Sequence, residues 1–368
     1  MTRPAIATID LAAFRANYEL AAMQAGNALC VAVIKANGYG HGICQVAKEL
    51  PGSPLAVACV DEAMRLRAEG VENSIVVLEG AFSADEVMLA SAERLQLIVH
   101  SDYQIENLAA LQAVDTAVDV WVKINTGMNR LGFSPSVVAE VLVKLRGLSA
   151  VRVLGLMTHF SCADEIDISA TEQQLKLFYS VINELGDAAE GLLLTAANSA
   201  ALLEHKTTHL DSVRPGIMLY GSSPFSHISS ETLGLKAVMS LESRIMAIHE
   251  LEAGECVGYG GTWRASRDTR IATIAMGYGD GYPRHAEIGT PVWIGDRVVP
   301  LIGRVSMDML NVDLSYHPDA KIGDVVELWG KNISVDEVAK SAGTISYELL
   351  TGVTARVPRQ YLNSLNEL

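Results

Sequence analysis

From residue 29 onward, short runs of β-branched and other apolar residues alternate with longer stretches of helical periodicity. The runs cover 29–35, 54–60, 74–80, 95–101, 117–126, 151–160, 192–199 and 212–221. Each is nearly continuous in apolar residues, as parallel strands covered on both faces require. Between them Asp61–Arg67, Ser134–Leu145 and Thr171–Leu185 carry helical spacing. Eight such units in roughly 200 residues predict a (β/α)8 barrel. An open doubly wound sheet is the competing topology. The count of eight and the lack of a GxGxxG turn after the first run disfavour it.

After about residue 234 the rhythm changes. Segments 236–249, 255–262, 270–278, 291–302, 304–314 and 323–330 are short, strand-like and separated by Gly, Pro and Asp turns, with one helix-like stretch at Val335–Ser341. The expectation is an α/β domain followed by a β domain: a (β/α)8 barrel over residues 11–233, then a β-rich domain over 234–368 with residues 1–10 packing on it. No low-complexity linker separates them, so tight packing is expected.

At 368 residues the chain has room for two cores, and 49% hydrophobic with 19% charged residues excludes a disordered chain. A net charge of -15 argues against a nucleic-acid partner. The five cysteines (Cys30, Cys44, Cys59, Cys162, Cys256) are odd in number and free of CxxC spacing. That argues against a disulfide framework or a structural zinc site and suits a reducing cytoplasm. Cys30, Cys44 and Cys59 lie in apolar runs and are expected to be buried. The first ten residues lack a long apolar stretch, and no window reaches a membrane-spanning length, so the expectation is a cytoplasmic protein with no membrane partner.

Chemistry enters at the strand ends. Lys35 leaves the first run ahead of Gly38-Tyr39-Gly40, where glycines let the backbone approach a ligand closely. A lone strand-end lysine usually snorkels to solvent; one that stays desolvated has a lowered pKa and can form a Schiff base. Lys123 lies in the fifth run with Asn125 and Arg130 beyond it, His159 and Ser199 end the sixth and seventh, and Arg214 opens the eighth ahead of Pro215-Gly216. Active sites of such barrels sit at the C-terminal strand ends, with phosphate held by the loops after strands seven and eight. Asn198-Ser199 and Gly216-Ile217 fall there. A phosphate beside an imine-forming lysine suits pyridoxal phosphate, and equally suits a lysine-dependent aldolase acting on a phosphorylated sugar.

The chain resembles the alanine racemase family, pyridoxal-phosphate enzymes built of a barrel plus a β-domain. The likeness runs from Ile9-Asp10-Leu11 to Ala355-Arg356-Val357-Pro358-Arg359. It is carried by the Lys35 block, Lys123–Gly132, Arg214-Pro215-Gly216-Ile217, Val257–Thr262, Gly277–Arg284 and Gly303–Asp308. At Gly38 the chain departs from the family, where alanine is commoner; both residues are small. The resemblance implies interconversion of L-alanine and D-alanine by two bases, supplying D-alanine for peptidoglycan or degrading alanine. Lys35 would bind the cofactor aldehyde and act as base on one face. Tyr259, from the partner subunit of a homodimer, would be the base on the other.

By the same resemblance, Arg214 would face the pyridine nitrogen, and Arg130 the cofactor phenolate and substrate carboxylate. The partner's Met307 would offer its N–H to that carboxylate. Tyr39, Ser199, Gly216, Ile217 and Tyr347 would hold the phosphate, with His159 beside the ring. Tyr278, Arg284, Arg304 and Asp164 would line the entrance, with Asp308 supporting them and no metal involved. Lys123, carbamylated in many members, would position Arg130. Two bases are what the chemistry requires, because the proton leaves one face and returns to the other. Three readings compete: a broad-specificity racemase, whose members resemble exported proteins; a barrel-only cofactor-binding protein, which would stop before the β-rich region; and a decarboxylase of basic amino acids on a related fold.

Overall fold

The strand Ile6–Asp10 hands directly to the helix Leu11–Ala25, and Asp10 marks the junction. Its carboxylate accepts the N–H groups of Ala12 at 3.1 Å and Ala13 at 3.2 Å, satisfying two donors that the first helical turn leaves open. Such a cap contributes about 1 kcal/mol. The coordinates are those of a computed structural model and describe residues 3–111 and 117–365. Residues 1, 2 and 366–368, included in the expected β-rich unit, lie outside the described residues.

The barrel closes because its first run splits. Leu29–Cys30 pairs in parallel with Ser212–Val213, whereas Ala32–Val33 pairs with Leu55–Val57 on the other side. From there the parallel order runs through Ile75–Val77, Gln96–Val99, Val118–Lys123, Val151–Met157 and Leu193–Thr195, back to Ser212–Val213. Within the strand Val151–Met157, a Cβ on Gly155 would lie 2.1 Å from the Leu193 carbonyl and 2.6 Å from the Trp121 ring, so no larger residue fits.

Helices cover the outside, each by its apolar stripe. In Ser169–Leu185 the buried positions Thr171, Gln174, Phe178 and Val181 recur at three- and four-residue spacing. Most regular strands are shorter than their apolar runs; the run 54–60 yields only Leu55–Val57. The remaining residues form loops at the barrel mouth, where continued burial keeps them apolar. Cys30 and Cys44 are buried, but Cys59 is only half-buried.

The C-terminal sheet is antiparallel except at one edge. Its order is Thr269–Ile274, Leu310–Asp313, Arg297–Ile302, Pro291–Ile294, Val325–Trp329, Met239–Leu251, Ile6–Asp10 and Arg359–Leu362. The thirteen-residue strand Met239–Leu251 bends at an irregularity between Ile245 and Ala247 and returns to pair with Thr269–Ile274. Run 291–302 divides into a hairpin, and 304–314 yields only Leu310–Asp313. Both chain ends join this sheet: Ile6–Asp10 pairs antiparallel with Met239–Leu251 and parallel with Arg359–Leu362. The short helix Ser346–Gly352, for which the sequence carried no periodic signal, folds back against the exit of the first barrel strand. Among the described residues no helix is long and apolar enough to cross a membrane.

Candidate active site

Beyond Lys35 the chain makes a left-handed turn. Ala36, Asn37, Gly38 and Tyr39 have φ of 52°, 55°, 62° and 49°. Left-handed conformation costs about 1–2 kcal/mol at each non-glycine residue, so the surroundings must hold it. Gly38 N–H donates to Ile34 O at 2.8 Å and Gly40 N–H to Ala36 O at 3.0 Å. The His41 Nδ1–H is shared between Gly38 O and Tyr39 O, at 3.1 and 2.9 Å. Burial pushes this imidazole down to about 4, so the ring is neutral and remains a one-proton donor. The Tyr39 ring stacks on Tyr220 at 4.6 Å, and the Tyr220 hydroxyl donates to Val33 O at 3.1 Å.

This turn forms one wall of a cavity of about 1050 Å³ at the barrel mouth. Lys35, Tyr39, Lys123, Arg130, His159, Ser199, Arg214, Gly216, Ile217 and Tyr347 all line it. Tyr347 comes from the far end of the chain, on the helix Ser346–Gly352, with its ring 6.0 Å from that of Tyr39. Ser199 opens the helix Ser199–Glu204 rather than ending a strand, and Arg214 follows the eighth strand rather than opening it. Gly216 N–H donates to Ser199 Oγ at 2.8 Å. A Cβ at Gly216 would sit 2.5 Å from the Tyr39 hydroxyl, so the glycine keeps that corner open.

Four cations face this space and none has an ion-pair partner among the described residues. Arg214 is buried; Nη2 donates to Thr158 O at 2.8 Å, to Ala196 O at 3.1 Å and to His159 Nδ1 at 3.4 Å, and Nη1 to Thr195 Oγ1. Its Nε–H has no acceptor among the described residues. Burial lowers its pKa only to about 10, so it stays protonated. Burial, then Arg214, Arg130 and Lys35, brings Lys123 down to about 8. Burial, then Arg130, lowers Lys35, against weaker opposing pulls from Glu79 and Glu62. Burial, then Arg214, holds His159 well below its ordinary value.

The other sequence-derived residues lie elsewhere. Tyr259 is 70% exposed on the turn between Cys256–Val257 and Trp263–Arg264, and Met307 is 53% exposed. The Tyr259 turn packs on Arg304, since a Cβ at Gly260 would lie 3.2 Å from the Arg304 guanidinium. Tyr278 N–H donates to Ser306 O at 3.0 Å, drawing Tyr278, Met307 and the half-buried Asp308 to one face of the β-domain. Arg284 and Asp164 are exposed, and none of these seven lines the barrel cavity. Sequence reasoning did not single out Leu78, Glu79, Phe82, His100 or Tyr103, which also line the cavity. Their position at or just beyond the C-terminal ends of the third and fourth runs was the available signal. Among the described residues no cluster of His, Cys, Asp or Glu could hold a metal ion.

Two family models match most of the chain: the alanine racemase N-terminal domain over residues 9–224 and the C-terminal domain over 238–361. The alanine racemase of Hahella chejuensis is 47% identical over 372 residues, covering 98% of each chain. The biosynthetic alanine racemase of Pseudomonas aeruginosa is 48% identical over 361 residues, covering 98% of this chain and 99% of that one. The crystal structure of a biosynthetic alanine racemase from Pseudomonas aeruginosa superposes with a TM-score of 0.93 at 48% identity, over 98% of this chain and all of that one. With both halves matched and the fold shared end to end, this chain belongs to the alanine racemase family.

Proposed function

We propose that this protein interconverts L-alanine and D-alanine with pyridoxal 5'-phosphate, as a cytoplasmic homodimer whose sites are each shared between two chains. The observation that carries the reading is the donor set of the barrel cavity. Four cations, one of them the Lys35 amine, and a corner of hydroxyl and N–H groups face one space without a carboxylate paired to them among the described residues. That set fits a phosphorylated, aldehyde-bearing ring and a substrate carboxylate. Tyr39, Ser199, Gly216, Ile217 and Tyr347 would hold the phosphate, and His159 and Arg214 would lie against the ring.

When bound, the cofactor supplies an aldehyde for the substrate amine and a ring that takes up the electron pair left by the departing α-proton. Lys35, its proton affinity lowered by burial, removes or returns the proton on one face. Tyr259 of the partner does so on the opposite face. Arg214, still protonated with a pKa of about 10, would only donate toward the ring nitrogen and would leave it unprotonated. Electron withdrawal is thereby moderated, which limits side reactions such as loss of the amino group. Arg130 and the partner's Met307 N–H hold the carboxylate. Lys123 is the group that takes up carbon dioxide, because only a neutral amine reacts and its pKa of about 8 supplies one near physiological pH. The resulting anion would offset Arg130.

The test is incubation of purified protein and cofactor with L-alanine in deuterium oxide. D-Alanine carrying α-deuterium is expected; no D-alanine, or carbon dioxide released from a basic amino acid instead, would overturn the reading.

A further inference from the structure

Asp280 lies in the Gly277–Arg284 motif and Arg356 in the Ala355–Arg359 segment, yet neither lines the cavity. The Asp280 carboxylate is fully buried, and a buried charge persists only where it is compensated and hydrogen-bonded. It accepts Arg3 Nε at 3.2 Å and Nη2 at 2.7 Å, pairs with Arg356 Nε at 3.3 Å, and takes Gly277 N–H at 2.9 Å. The turn Tyr278–Asp280 is thus gripped by its own side chain and by two arginines from opposite ends of the chain.

That turn grips the next one. Tyr278 N–H donates to Ser306 O at 3.0 Å and Gly279 N–H to Met307 O at 2.8 Å. A Cβ at Gly277 would lie 2.4 Å from both of those carbonyl oxygens, so the two backbones are in direct contact. Asp308 is tied as well: Arg3 Nη2 donates to its carbonyl, and Arg356 Nη2 to its Oδ1 at 2.7 Å. In a planar trans peptide the C=O and N–H point in opposite directions. Anchoring Ser306 O therefore turns the Met307 N–H away from the β-domain, and anchoring Met307 O does the same for Asp308 N–H. Neither N–H donates to an acceptor among the described residues.

We propose that Arg3, Asp280 and Arg356 form a positioning device that aims the Met307 N–H outward from the β-domain face. It rests on the reading above, in which that N–H meets the substrate carboxylate in the partner's cavity. Arg3 is the informative member. Without it Arg356 still compensates Asp280, so the fold survives, but the fork linking Asp280 to the Asp308 carbonyl is lost. A lysine carries the charge but cannot span both.

The experiment compares holoenzyme with Arg3→Met and Arg3→Lys. A misdirected N–H weakens a hydrogen bond to a charged group, and KM for both enantiomers should rise about ten-fold in Arg3→Met. The same bond serves ground and transition states, so kcat should stay within about two-fold. Tm and dimer mass should not change, and Arg3→Lys should fall between wild type and Arg3→Met. Hydrogen exchange gives a readout free of substrate: the Tyr278 and Gly279 amides should exchange at least about three-fold faster in Arg3→Met. Unchanged exchange at these amides overturns the proposal whether or not the protein racemises alanine. So does an unchanged KM in an active enzyme, or a joint fall of kcat and Tm. A wild type that does not racemise alanine, with faster exchange in the variant, would overturn the functional reading and leave the device standing.

Discussion

The barrel mouth and the exposed face of the β-domain are built on opposite terms. At the mouth Arg214, Lys123 and His159 are largely desolvated; burial lowers all three, neighbouring cations lower Lys123 and His159 further, and Lys35 is affected in the same direction. On the β-domain Tyr259 and Met307 stand in water on turns braced from behind. One region is a finished pocket, and the other is an exposed surface that, in the proposed homodimer, meets the second copy. Electrostatic tuning needs exclusion of water, so it is found where the fold alone excludes it. A surface that must meet another copy can be pre-ordered but not desolvated until they meet.

The comparison breaks first at Lys35. Lys35→Ala should reduce racemisation in both directions by at least about 10⁴-fold, since imine formation and one base are lost together. Borohydride treatment with pyridoxal phosphate should then add no mass at residue 35. A variant that still labels through another lysine and turns over would remove the barrel mouth from the mechanism.

Tyr259→Phe should slow α-deuterium exchange from L-alanine by about 10³-fold, within the range of a lost general base, and leave exchange from D-alanine partly competent. Equal loss from both enantiomers would make Tyr259 a packing residue of its turn. Mixing inactive Lys35→Ala and Tyr259→Phe subunits tests whether the two regions meet across a two-fold axis. Random exchange should restore about a quarter of wild-type activity, because half the dimers are mixed and each has one intact site. No recovery, with mixed dimers seen by mass, would mean that both regions serve a single chain.

Smaller effects sharpen the barrel side. Gly216→Ala pushes a methyl into the Tyr39 hydroxyl, which cannot yield freely because its ring is stacked on Tyr220. Cofactor affinity of the apoprotein should fall about ten-fold, the size of one lost hydrogen bond, with little change in Tm. Unaltered affinity would take the phosphate away from that corner. The pH dependence of cofactor capture is the finest test. Only neutral Lys35 reacts, so the rate should rise with pH through a midpoint below 10.5, burial having lowered the ammonium. Glu79 opposes that lowering, so Glu79→Gln should move the midpoint further down, and an upward shift would contradict the arrangement.

Much of this was legible along the chain. Apolar runs reveal parallel strands because both faces are covered, and the polar interruptions at Lys35, Lys123, His159 and Arg214 mark the mouth, where strand pairing stops. The glycines around Tyr39 and Tyr259 marked turns in which φ is positive at several residues. Strand limits were less legible, because residues such as Ala58 leave the ladder yet still face the cavity.

What the sequence by itself determined, then, is the barrel's repeat, the switch to a β-domain, and which polar side chains stand at the strand ends, all properties of local spacing and side-chain chemistry. Tertiary structure decided how those pieces meet. The first run splits between two neighbours to close the barrel, Tyr347 returns to line a cavity that begins at Val33, and Arg3 crosses to Asp280. Ile6–Asp10 finds Arg359–Leu362 at the opposite end of the chain. The reason is physical: periodicity reports which side of a segment is dry, whereas the choice of partner follows from shape, register and charge compensation between segments far apart in sequence.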